Sequence, residues 1–144
     1  MNATKATCRY LKWERISARL EQLAATTQGK TKVQALPFLN GESEIKSALE
    51  AVNELKTLFD NGENLHFGEM EDLSGLVFRA RKEGTLSALE LLQVGRTVQD
   101  MTRVRNFAVS HQAKLSHSVR IINRMAELRL VGTEIFGAID SEGQ

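Results

Sequence analysis

Apolar residues recur at helical spacing along almost the whole chain, and Pro37 is its only proline. A period near 3.6 with a single proline to break it restricts the chain to packed helices. The first helix carries Leu11, Ile16, Leu20 and Leu23 close to one stripe, which fades at Thr26-Thr27-Gln28-Gly29, where Gly29 suits a helix end. A short helix from about Lys30 to Leu36 must end before Pro37, and Asn40-Gly41 makes a turn. The third helix spans Ser43 to Phe59, with Ile45, Leu49, Val52, Leu55 and Phe59 on its buried face. Asp60-Asn61-Gly62 ends it, and Leu65 and Phe67 alternate with polar residues in the loop that follows.

From Met70 to Leu92 the pattern becomes more specific. A short amphipathic helix carries Arg79, Arg81 and Lys82 and stops at Gly84. Ser87 then stands as a helix cap with Glu90 three residues on, and Leu86 and Leu91 flank this capping box as a hydrophobic staple. Arg79, Arg81, Gly84, Leu86, Ser87, Glu90 and Leu91 thus form a basic elbow of fixed angle between two helices. The helix from Ser87 has room to run to about Ser110, with Leu91, Val94, Val98, Met101 and Ala108 along one side. Another covers Ala113 to Leu130, with Leu115, Val119, Ile122, Met125 and Ala126 inward, and a short one covers Thr133 to Ile139. The expected fold is all-α: an irregular bundle of about five to seven helices, two of them long, consecutive and antiparallel. With no internal repeat and no low-complexity linker, residues 1–144 read as one helical domain. Phe136 to Gln144 reads as an apolar stripe entering a turn, as if the chain were cut in mid-structure at its C-terminal end.

Composition removes several classes of function. The chain has 144 residues and an apolar fraction of 42%, with no run of eighteen apolar residues for a membrane span. Its first residues lack the apolar core of a secretory signal, and Cys8 is the lone cysteine, which fits a reduced, cytoplasmic protein. Gly29-Lys30-Thr31 matches the end of a phosphate-binding loop, but Ala24 stands where its first glycine belongs, and the segment before it is helical. His66, His111 and His117 have no metal-ligand spacing and read as solvated or capping residues. Glu69, Glu71 and Asp72 lack the order of a calcium loop and suit an exposed helix N-terminus. No nucleophile elbow or catalytic serine grouping is present. Trp13 and Tyr10 read as packing residues.

The net charge of +1 conceals a segregation. Residues 1–39 hold seven basic and two acidic residues, and residues 40–72 hold two basic and nine acidic. Residues 73–131 hold ten basic and four acidic, and the last thirteen hold three acidic. Arg96, Arg103, Arg105, Lys114, Arg120 and Arg124 are therefore candidates for a non-specific phosphate-contacting surface; the alternative is a solvated bundle face.

Several motifs, in order, resemble the N-terminal region of the MutS-two family, the bacterial MutS branch without a mismatch-reading domain. Leu11-Lys12-Trp13-Glu14-Arg15-Ile16 resembles its opening Leu-x-aromatic-x-x-Ile, and Thr27-Gln28-Gly29-Lys30 its Thr-x-x-Gly-basic element. Glu44-Ile45 and Leu49 through Leu55 resemble its Glu-Ile helix. Asp72-Leu73 through Arg79-Ala80, Gly84-x-Leu86 and Glu90-Leu91-Leu92 resemble its most specific block. Ile135 through Ile139-Asp140-x-x-Gly143 resembles its Ile-x-x-x-Ile-Asp-x-x-Gly turn. Trp13 replaces the expected Phe, and Lys82-Glu83-Gly84 lacks a second glycine that is common there.

The resemblance implies the N-terminal half of a MutS-type core and lever domain. The chain itself is then not an enzyme and binds no cofactor. Family members continue into a lever, a clamp, an ATPase using ATP and Mg, and usually a nuclease domain, and the full-length protein is a homodimer. Its partners are the rest of its own polypeptide and, through that, DNA or the ribosome, in DNA repair, suppression of recombination and ribosome rescue. The module would couple ATPase to clamp. The alternatives are a stand-alone helical interaction module docking a basic partner through residues 40–72, and a small non-specific nucleic-acid binder.

Overall fold

The computed structural model describes residues 5–68 and 70–139, with the side chains of Lys5 and Val119 left aside. Among them the helices are α1 (Lys5–Tyr10), α2 (Trp13–Leu23), α3 (Thr27–Gln34), α4 (Glu42–Asp60), α5 (Ser74–Arg81), α6 (Ala88–Ser110), α7 (Val119–Ile122) and α8 (Arg129–Ala138), with a 3-10 turn at Gln112–Lys114. There is no strand among the described residues, so the all-α reading holds. There are eight α-helices among the described residues against the expected five to seven, the opening helix being split in two. The described residues up to Asn64, with Gln112–Val119, form one compact unit. Those from Leu65 to His111 and from Arg120 onward form the second.

In the first unit the expected opening helix is split by Lys12, which takes a left-handed conformation with φ 52°. Gly29 does not end a helix. It lies in the first turn of α3, where its N–H donates to the Thr26 hydroxyl at 3.0 Å, an N-cap. Trp13 packs on Phe38 with ring centroids 4.9 Å apart, whereas Tyr10 is exposed rather than packed. Helix α4 has nearly its expected limits but buries a different side. Its apolar arc is about half the helix circumference, and Leu58 is buried, whereas Ile45, Leu49, Val52 and Phe59 are exposed.

The largest correction concerns the segment after α6. The expected long helix from Ala113 to Leu130 is not formed, so α6 has no long consecutive antiparallel partner. The cause is the Glu54 carboxylate of α4. Its Oε1 accepts from the His117 N–H at 2.7 Å and the Ser116 hydroxyl at 2.8 Å. Its Oε2 accepts from the Ser118 N–H at 3.1 Å and hydroxyl at 3.0 Å. These donors are spent on a side chain more than sixty residues away instead of on a helical ladder. The His117 ring is exposed, as expected, but lies between Glu54, 2.9 Å from Nδ1, and Glu50, 2.8 Å from Nε2, and is not a helix cap. A second interruption follows α7 at Asn123–Met125, and Glu127 accepts from the Arg129 N–H at 3.3 Å where α8 begins.

In the second unit α6 packs against α8. Leu92, Val98, Ala108 and Ile122 are its buried apolar side chains. Two glycines allow the helices to approach. A Cβ on Gly95 would lie 3.0 Å from Ile135 Cγ2 and 3.0 Å from Phe136 Cζ, and one on Gly132 would lie 3.3 Å from Val98 Cγ1. Phe136 keeps part of its ring exposed and Ile139 is half-buried; the Asp140-x-x-Gly143 turn lies outside the described residues. Gly68, at φ +62°, passes so close to Asp100 that a Cβ there would overlap its carboxylate.

Gly95→Leu should lower stability by about 1–3 kcal/mol through overpacking at this crossing, whereas Gly137→Ala, with nothing within 4 Å, should raise it by up to about 1 kcal/mol. Urea titration reads both. Burial alone would raise the Glu54 pKa, but the donors from His117, Ser116 and Ser118 outweigh it and hold the group at about 2, below its ordinary 4.5. A depressed carboxyl pKa stabilises the fold above the unfolded value and is lost as pH falls through the folded one. The gap in thermal midpoint between the native chain and Glu54→Gln should therefore be full above pH 4.5 and close as pH approaches 2.

Candidate functional site: a locked helical elbow

Helix α5 begins where the Asp72 carboxylate accepts from the Ser74 N–H at 2.9 Å; the Ser74 hydroxyl and then this N–H lower the Asp72 pKa. Glu71, beside it, reaches Gln93 of α6, while Glu69 of the same cluster lies outside the described residues. Helix α5 ends in a Schellman motif. The Gly84 N–H donates to the Arg79 carbonyl and the Glu83 N–H to the Ala80 carbonyl, each at 3.0 Å. The left-handed position is Glu83, with φ 59°, not Gly84. Gly84 is needed for a different reason: a Cβ there would sit 2.6 Å from Arg79 Cγ and 3.0 Å from the Arg79 carbonyl oxygen. Lys82 turns back over the Phe78 ring, its Nζ 5.4 Å from the centroid.

The expected capping box is present. The Ser87 hydroxyl accepts from the Glu90 N–H at 3.4 Å, and the Glu90 carboxylate accepts from the Ser87 N–H at 2.8 Å. Leu86 and Leu91 are both half-buried. The sequence pattern did not show that the other oxygen of Glu90 takes the Arg79 guanidinium. One carboxylate therefore caps α6 and holds the last turn of α5. The Ser87 N–H and then Arg79 lower its pKa, so it is ionised through the neutral range. Arg81 is exposed at the end of the same helix.

The six candidate phosphate-contacting residues are divided between the two units. Lys114 lies in the first unit and the five arginines in the second. Arg103 is bonded to Asp100 at 2.6 Å and Arg105 to Glu127 at 2.7 Å, so a carboxylate already balances each charge. Arg96 and Arg103 are seven residues apart and share a side of α6, while Arg105 falls on the opposite side. Arg96, Arg120 and Arg124 are exposed and form no ion pair among the described residues. Asp100, a buried acid facing Gly68, was missed in the sequence because the Gly68 backbone that approaches it lies more than thirty residues before it.

The chain is 30% identical to the endonuclease MutS2 of Brevibacillus brevis across 92% of its own length. The chain is thus similar to MutS2 over nearly all of its own length. It is also 25% identical to the endonuclease MutS2 of Symbiobacterium thermophilum over 96% of the chain, and 27% identical to that of Clostridium beijerinckii over 94%. It spans 17–18% of the length of these MutS2 relatives. No protein-family model matches it, and no solved structure gives a significant match.

The MutS2-like block from Asp72 to Leu92 is the elbow itself. Within it Glu83 holds the left-handed conformation, which costs a side chain about 1 kcal/mol or more. No group of three or more potential metal ligands occurs among the described residues, and no helix there is long and apolar enough to cross a membrane.

Glu83→Gly should accordingly raise stability by about 0.5–1 kcal/mol, since glycine adopts positive φ at little steric cost. Ser87→Ala should lower it by about 1 kcal/mol through the lost cap. Amide hydrogen exchange at Glu90 should quicken in the second variant and not in the first.

Proposed function

We propose that this chain is a helical coupling module of a MutS2-type protein. It would serve DNA repair by passing nucleotide-driven movement between an ATPase and a nucleic-acid clamp carried elsewhere in such a protein, and would itself do no catalysis. The observation that supports this reading most is the double use of Glu90, which caps α6 and holds Arg79 of α5. A module that transmits a rotation needs helices whose mutual angle does not relax, and a capped helix tied to its neighbour at the joint meets that need. The relatives' printed name adds an endonuclease activity, which is proposed for the longer protein and not for these residues. ATP with Mg, the homodimer and a ribosomal target belong to the same longer protein.

A second reading, weak non-specific nucleic-acid binding, draws on Arg96, Arg120 and Arg124, whose charges are not balanced by a carboxylate among the described residues. It predicts salt-dependent affinity without base preference.

The test is a chimera in which this chain replaces the matching segment of the Brevibacillus brevis MutS2. It should retain DNA-stimulated ATP hydrolysis, and adding Arg79→Ala with Glu90→Gln should lower that stimulation several-fold while basal hydrolysis persists. Unchanged stimulation would overturn the coupling role. Duplex binding by the isolated chain that disappears with Arg96→Glu, Arg120→Glu and Arg124→Glu would favour the second reading instead.

A further inference from the structure

The His117 ring has both of its nitrogens on carboxylate oxygens. Nδ1 lies 2.9 Å from Glu54 Oε1, and Nε2 lies 2.8 Å from Glu50 Oε2. A neutral imidazole carries one N–H, and its other nitrogen is a lone pair. Two ionised carboxylates at these distances call for two donors, so the geometry fits the imidazolium and neither neutral tautomer. Whichever nitrogen gave up its proton would turn a lone pair toward a carboxylate. Glu50 and Glu54 are also four residues apart on α4, where like charges repel. The ring is the cation between them, since neither glutamate has another ion-pair partner among the described residues. The polar groups facing the ring there are these two carboxylates of α4 and, from its own segment, the Ser116 hydroxyl, 3.3 Å from Nδ1.

The backbone around the ring is held by the same acid. Glu54 accepts from the His117 and Ser118 N–H groups and from the Ser116 and Ser118 hydroxyls, which keeps residues 116–118 against α4 as turns. Leu115, immediately before them, is 2% exposed and anchors the segment without any charge. Loss of the ring proton therefore acts on the turns at 116–118 and leaves the rest of the segment in place. Histidine is the side chain that ordinarily changes charge near neutral pH.

We propose that His117 is a proton-operated latch: as the imidazolium it bridges Glu50 and Glu54 and holds residues 116–118 on α4, and on deprotonation it releases them. The chain enters this unit at Gln112, directly after α6, and leaves it after Val119. The latch thus governs the stretch that follows the helix leaving the elbow. The contact favours the charged ring, so its contribution is present at acid pH and is lost as pH rises and the ring deprotonates. Glu54 itself responds in the opposite direction, losing its charge only as pH falls toward about 2. The inference is independent of the coupling role proposed above.

Amide hydrogen exchange of the whole 144-residue chain provides the test. Exchange is followed across the ordinary titration range of histidine, with each rate divided by the intrinsic rate at that pH. Protection of the His117 and Ser118 N–H groups should fall about fivefold as pH rises, the scale of one exposed ion pair. Protection of the Leu115 N–H, which donates to the Gln112 carbonyl at 3.2 Å, should not change. Ring nitrogen chemical shifts should show both His117 nitrogens protonated where protection is highest. The fall at Ser118 should disappear in His117→Ala. It should shrink in Glu50→Gln, because an amide can donate to a bare ring nitrogen as well as accept from a protonated one. Leu115 protection reports that each variant is folded. Protection at 117 and 118 that ignores pH, a fall shared by Leu115, a neutral ring where protection is highest, or a fall undiminished in either variant would each overturn the proposal.

Discussion

The Glu90 carboxylate is the constraint on which the second unit depends. One oxygen accepts from the Ser87 N–H and so fixes where α6 starts; the other holds the Arg79 guanidinium and so fixes where α5 ends. Two backbone details make this possible. The Schellman turn at Glu83-Gly84 folds the chain back within four residues. The missing side chain of Gly84 leaves room for the stem of Arg79 to pass. With its start fixed, α6 can present Gly95 and Val98 to α8 at the register their contacts with Ile135, Phe136 and Gly132 require. The elbow therefore sets an angle, and the glycine-lined crossing fixes the position of the helix that leaves it.

The first unit is organised by another carboxylate. Glu54 gathers the backbone and hydroxyl donors of residues 116–118, and so draws a segment that follows α6 in sequence into the unit of α4. Both units thus rely on a single ionised acid that satisfies backbone donors which a helix would otherwise employ. Such acids are effective because several short bonds to one charge are stronger than the same number of neutral bonds.

Local features were legible in the sequence, and distant ones were not. The capping box, the limits of α4 and the length of α6 follow from residues within a few positions of each other. The break after Lys114 does not, because the side chain that causes it lies more than sixty residues earlier. The buried side of α4 was misjudged because its apolar arc is wide enough to hold two stripes, and periodicity cannot say which one packs. Gly84 was read only as the stop of α5, and its role proves to be steric. Among the candidate arginines, Asp100 could have been noticed as the i−3 partner of Arg103. Glu127, the partner of Arg105, could not, since only the tertiary fold brings it there. The family was legible because its motifs are densest where these local rules are strictest.

The most direct test of a rigid elbow is a distance distribution across it. Spin labels at Val77→Cys on α5 and Asn106→Cys on α6, in a Cys8→Ser background, report the helix angle by pulsed electron resonance. The account predicts one narrow distance peak that broadens when Arg79→Ala and Glu90→Gln are added. A broad distribution in the otherwise native chain, or an equally narrow one after the salt bridge is removed, would contradict it.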